Sequence, residues 1–265
     1  MVKKIFCIFL LITAYIHSND YIITIPKTGT NLLLKLCFLI DQANGIDVRV
    51  KNYQDKERKN PPDWLHIWKV PIEGDTETLG PTEEKIQYIL DINSKIIISV
   101  RDPRGFAAAL AEGHGKKTEG VISRLGQMID YPGAFIASYI GNDYYLKFKT
   151  MTALYDEYLS WKEYPFVYAT SFELLVGPKG GGNREAQVQE IQNIANHLEK
   201  QVSYKSACDI ADQLFGGTNT FKRGQISGWQ DDFSKKQHRR FLSKERNLIT
   251  RLGYPIHGDC SIKEK

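Results

Sequence analysis

Tyr21-Ile22-Ile23-Thr24-Ile25-Pro26-Lys27-Thr28-Gly29-Thr30-Asn31-Leu32-Leu33-Leu34 carries the strongest structural signal in the chain. A β-branched apolar run stops at proline, bends through Lys27 and Gly29, and resumes as an apolar helix. That is a strand over 21–25, a tight loop and a helix over 31–43. Glycine at the bend lets the backbone close around an anion, and the free N–H groups at the helix start point at it with the positive end of the helix dipole. Lys27 adds a mobile cation, and Thr28 and Thr30 add hydroxyl donors, a set that suits phosphate better than carboxylate because donors converge from several directions. The same residues also make an ordinary strand-to-helix turn, so the loop alone does not establish a phosphate site.

Working outward, apolar runs bounded by turn residues alternate with helical patterns. Strands are expected at 21–25, 47–51, 64–69, 95–100 and 165–169, and helices at 31–43, 82–91, 103–112, 149–162, 184–199, 203–214 and 234–251, with Thr82 as an N-cap. This order predicts an α/β fold around a mostly parallel sheet. Ile96 to Val100 has the continuous apolar character of a strand covered on both faces. Gly177-Pro178-Lys179-Gly180-Gly181-Gly182 reads as an irregular loop.

The chain has 265 residues, 42% hydrophobic and 25% charged, enough for one globular domain over 20–265. Residues 1–19, with Lys3 and Lys4 before the apolar Ile5–Ile12, read as a secretory signal peptide cleaved near Ser18. The apolar stretch is shorter than the roughly 20 residues a spanning helix needs, so membrane attachment is expected only if this segment stays uncleaved. An export signal predicts a secreted protein or one delivered across a membrane into a lumen or periplasm. Cys7, Cys37, Cys208 and Cys260 are widely spaced without a CxxC pair, which indicates neither a disulfide framework nor a zinc site. The net charge of +4 includes the two leader lysines, so nucleic acid is not an expected partner.

Two further basic segments matter. Arg101-Asp102-Pro103-Arg104-Gly105 follows the strand ending at Val100. Ligands gather at the carboxyl ends of strands in an open parallel sheet, so Arg101 is expected to face the same crevice as Lys27, unless it forms a local ion pair within its turn. Phe221-Lys222-Arg223-Gly224, after Gly216-Gly217 and before Ser227-Gly228-Trp229, places two adjacent cations in a glycine-flanked loop, either an anion clamp or a solvated basic loop. Lys235, Lys236, Arg239 and Arg240 read as the solvated face of a helix. A Walker A loop, GxxxxGK followed by serine or threonine, is absent from the chain, which disfavours a kinase or NTPase.

In this order, the three segments resemble the cofactor loops of sulfotransferases that use 3'-phosphoadenosine 5'-phosphosulfate (PAPS). Pro26–Thr30 is similar to that family's PKSGTT loop, Val100–Arg104 to its 3'-phosphate strand and helix, and Phe221–Gly224 with Trp229 to its RKGxxGxW segment with the cations exchanged. Tyr168–Leu175 stands where the family has YEDL. The resemblance implies a three-layer α/β/α, P-loop NTPase-like sulfotransferase fold. It also implies PAPS as co-substrate without a metal, and transfer of a sulfuryl group to a hydroxyl or amine of a small molecule, glycan or protein side chain. Lys27, Thr28, Gly29, Thr30 and Asn31 would hold the 5'-phosphosulfate, with Lys27 neutralising the bridging oxygen, and Arg101, Lys222, Arg223 and Gly224 would hold the 3'-phosphate. His66 is the expected catalytic base, with Lys69 in its place under a shifted alignment and His114 as a further alternative. Two positions depart from the family pattern: Ala109 stands for its 3'-phosphate serine and Leu32 for its adenine-stacking tryptophan. These departures leave open a second reading, a nucleotide-binding protein of the same fold without turnover. The acceptor loops are expected at 52–62 and 112–120.

Overall fold

The computed structural model describes residues 20–25, 27–46, 78–113, 118–140, 143–217 and 221–256. Strands β1 (Tyr21–Thr24), β2 (Ile96–Val100) and β3 (Val167–Ser171) pair in parallel in that order, with Tyr21 opposite Ile96 and Ile96 opposite Val167. In chain order the helices are α1 (Thr30–Ala43), α2 (Glu83–Asp91), α3 (Pro103–Gly113), α4 (Thr118–Asp130) and α5 (Pro132–Ile140). They continue as α6 (Met151–Leu159), α7 (Phe172–Leu175), α8 (Arg184–His197), α9 (Tyr204–Leu214) and α10 (Lys235–Arg251).

Because side chains alternate across a strand, the register sorts the sheet into two cores. Tyr21, Ile96 and Ile98 pack with Phe106, Met128, Ile136, Tyr155 and Phe241, under α3, α4, α5, α6 and α10. Ile22 and Ile97 pack with Leu33, Leu36, Ile191 and Ile210, under α1, α8 and α9. Helices cover both faces, and the result is the expected three-layer α/β/α arrangement.

The expected helices form with small changes at their ends. The segment 149–162 divides into α6 and a 3-10 turn at Ser160–Glu163. Helices α4 and α5 were not foreseen, and the first of them begins inside the stretch read as an acceptor loop at 112–120. The expected strands at 47–51 and 64–69, residues 1–19, His66, Lys69 and His114 lie outside the described residues. No described helix is long and apolar enough to cross a membrane.

Helix starts are capped by side chains: Thr82, Thr150, Ser171, Asn183, Ser203 and Ser234 each accept the N–H three residues on. Helix α1 differs, because its cap is Gly29 at φ 105°, with no side-chain hydrogen bond. Its first-turn N–H groups have no acceptor within the helix.

Candidate functional site

A cleft of about 340 Å³ opens at the carboxyl ends of β1 and β2. Three groups of residues meet there: Lys27, Gly29, Thr30, Asn31 and Leu32 from the first loop, Arg101 and the start of α3 from the second, and Phe221–Gln225 with Trp229 from the third. Segments more than a hundred residues apart in the chain thus share one wall.

The first loop is fixed from beneath by hydrogen bonds to its backbone. Ser99 on β2 donates its hydroxyl to the Thr28 carbonyl at 2.7 Å. Arg101 Nη1 donates to the Lys27 carbonyl at 3.2 Å. Thr30 and Thr24 share a hydroxyl hydrogen bond of 2.6 Å. The buried Tyr158 hydroxyl accepts the Ser99 N–H at 2.8 Å and lies 2.7 Å from the Ile23 carbonyl oxygen, sealing the seam between β1 and β2. Held this way, Lys27 takes φ 70°, a left-handed conformation that L-residues other than glycine rarely adopt. Its ammonium stands 5.3 Å from the centre of the Tyr139 ring in the cleft.

Thr28 is placed differently from its neighbours. It is fully buried, and its hydroxyl donates to the Ile25 carbonyl at 2.7 Å, so it secures the loop and does not line the cleft.

The second segment separates its two arginines. Arg104 is fully buried and forms a forked pair with Asp102 (Nε to Oδ1 2.9 Å, Nη2 to Oδ2 2.7 Å) over the Trp229 ring at 4.3 Å. The local ion pair read in the sequence therefore forms with Arg104, leaving Arg101 to the cleft. Arg101 lies over the Phe172 ring at 4.1 Å, and Nη2 reaches the Gln225 carbonyl at 3.4 Å, so this one side chain ties the first loop to the third. Its Nε is buried without a hydrogen-bond partner among the described residues. Burial lowers its pKa from the ordinary arginine value, opposed by the nearby Glu173 carboxylate. Burial likewise raises the Glu173 carboxyl, against hydrogen bonds from the Asp102 N–H and the Tyr254 hydroxyl. A guanidinium lining the same cleft as Lys27, Lys222 and Arg223 is a donor suited to an anion.

In the third segment Lys222 is exposed and has no ion-pair partner among the described residues, whereas Arg223 is engaged. Arg223 bonds Asp232, donates to the Gly228 carbonyl at 3.2 Å, and lies 3.6 Å from Glu112 Oε2. Burial works to lower its pKa, but the Asp232 hydrogen bond and charge, with Glu112, raise it overall. Ala109 and Leu32, the two departures from the family pattern, both line the cleft.

The glycine loop after α7, which carried no functional signal in the sequence, seats the third segment. Ile226 N–H donates to the Gly180 carbonyl at 2.9 Å, and a Cβ on Gly180 would stand 2.2 Å from Val176 Cγ2 and 2.4 Å from the Gly224 carbonyl. Gly180→Ala is therefore expected to cost about 1–3 kcal/mol of stability through overpacking and to displace Gly224. Thermal unfolding and anion titration of the same variant check both effects, and unchanged values for the two would show that the loops are not seated on each other.

Among the described residues no three acidic, histidine or cysteine side chains cluster to hold a metal. No protein-family model and no curated protein sequence matches the chain. Among solved structures, the fold is similar to that of mouse sulfotransferase SULT7A1 complexed with PAP. That match covers 88% of this chain and 87% of that chain, with a TM-score of 0.53 and 17% sequence identity. At that identity the likeness is one of fold, and the three-layer chain described above has the sulfotransferase fold.

Proposed function

We propose that the cleft binds PAPS and that the protein transfers its sulfuryl group to a hydroxyl or amine acceptor. The observation that carries this reading is the meeting of Lys27 and the uncapped start of α1 with Arg101 and Lys222–Gly224 in one cleft. Two anion-binding ends in one cavity match a nucleotide with a 5'-phosphosulfate and a 3'-phosphate. The neighbour's bound nucleotide and the order of the three sequence segments support the same ligand. The residues present fit the anionic ends: Lys222 is exposed without an ion-pair partner among the described residues, and α1 begins at Gly29 without a side-chain cap.

PAPS would supply an activated sulfuryl group on a phosphate leaving group. The α1 N-terminus with Gly29, Thr30 and Asn31 would bind the 5' end, while Arg101, Lys222, Arg223 and Gly224 would bind the 3' end. Lys27 would stabilise charge developing on the departing oxygen, the electrostatic role that dominates such transfers. As the acceptor oxygen or nitrogen bonds to sulfur, its proton must pass to a base, for which we propose His66. With residues 1–19 read as an export signal, this chemistry would take place in an exported protein, in a compartment that must itself be supplied with PAPS.

A second reading, nucleotide binding without turnover, is favoured by one observation: Ala109 and Leu32 face the cleft with neither the hydroxyl nor the indole of the family pattern. Calorimetric titration with adenosine 3',5'-bisphosphate is expected to show stoichiometric binding. Release of that nucleotide from PAPS in the presence of phenols, alcohols and amines supports transfer. Binding without release on any acceptor supports the second reading, and absence of binding overturns both.

A further inference from the structure

Helix α3 turns a face of small residues, Gly105, Ala108, Ala109 and Gly113, into the cleft. Among them stands the one carboxylate of its described lining, Glu112, with Oε2 3.6 Å from Arg223 Nη2. Arg223 is thus already held between Glu112 and Asp232. A carboxylate repels a phosphate dianion but accepts a hydrogen bond from a sugar hydroxyl. Dinucleotide-binding folds use this contrast: an acidic side chain takes a free ribose hydroxyl, and an arginine accommodates a ribose phosphate. Here the two opposite selectors stand in contact, one turn along α3 from Ala109, where no hydroxyl is available to a phosphate.

We propose that Glu112 sets the nucleotide preference of this cleft. Its carboxylate competes with a ribose 3'-phosphate for Arg223, and it offers an acceptor to nucleotides whose 3'-hydroxyl is free. The inference rests on reading the cleft as a nucleotide site with Lys222–Gly224 at the 3' end. It predicts a site more permissive toward 5'-diphosphate nucleotides than its cations alone would make it.

The test compares two isomers, adenosine 3',5'-bisphosphate and adenosine 5'-diphosphate, by calorimetric titration of the wild-type protein and Glu112→Gln. Each isomer carries two phosphates and differs from the other only in where the second one sits, so the general effect of removing a carboxylate cancels between them. Glu112→Gln is expected to tighten the 3',5' isomer about tenfold, the scale of removing one like charge from a contact, and to leave the 5'-diphosphate unchanged or weaker. The gain should shrink at high salt and disappear in an Arg223→Gln background, where the competition has no object. Glu112 is partly exposed, and an unchanged unfolding temperature would show that the variant folds. No tightening of the 3',5' isomer, or equal tightening of both, overturns the proposal and leaves the nucleotide site standing. If the wild-type protein binds neither isomer, the reading of the cleft falls and the proposal with it.

Discussion

Alanine at position 27 is expected to lower sulfuryl transfer at least about a hundredfold, the scale found when one donor to a developing charge is removed. The backbone makes this a clean test. Lys27 already carries a Cβ at φ 70°, so alanine adds no backbone strain, and the hydrogen bonds from Ser99 and Arg101 reach the loop through carbonyl oxygens that the substitution keeps. Unfolding temperature should stay put while kcat collapses. Adenosine 3',5'-bisphosphate lacks the sulfuryl group, and its binding should weaken far less than turnover. An unchanged rate of nucleotide release would remove Lys27 from the chemistry.

The largest structural effect is expected at Asp102, whose loss leaves the fully buried Arg104 guanidinium without its counter-charge. Breaking such a pair by removing one partner costs about 3–5 kcal/mol, because the remaining charge stays buried. For a domain of this size, Asp102→Ala should lower the melting temperature by ~10 °C. Replacing both members, Asp102→Ala with Arg104→Met, should recover part of that loss, since the destabilisation comes from the orphaned charge. If the single and double variants melt alike, the pair carries no such coupling.

The three described strands and the meeting of their loops in one cleft were legible in the sequence, for identifiable reasons. Ile22 and Ile23 before Pro26, and Ile96–Val100 before Arg101, are apolar runs ending in polar residues, and a parallel sheet brings such ends together. Helices α4 and α5 escaped because glycine reads as a loop signal. Gly133 is needed for close packing: its Cβ would stand 2.1 Å from the Tyr145 carbonyl, and its N–H donates to the Phe148 carbonyl at 3.0 Å. The partner of Asp102 was hidden for a different reason. Both Arg101 and Arg104 lie within reach along the chain, and contacts with the distant Trp229 ring and Pro255 carbonyl help select Arg104. Glu112 gave no signal because its significance depends on Arg223, more than a hundred positions away.

Most of the bonds that fix the cleft loops end on main-chain carbonyls: those of Ile25, Lys27, Thr28, Gly180 and Gln225 all serve as acceptors. A scaffold that grips main-chain atoms is indifferent to much of what the loop side chains are. Positions 27 and 222 can therefore be rewritten with little penalty to folding, and the same frame could be given a different anion, or a different reaction, by exchanging a few side chains.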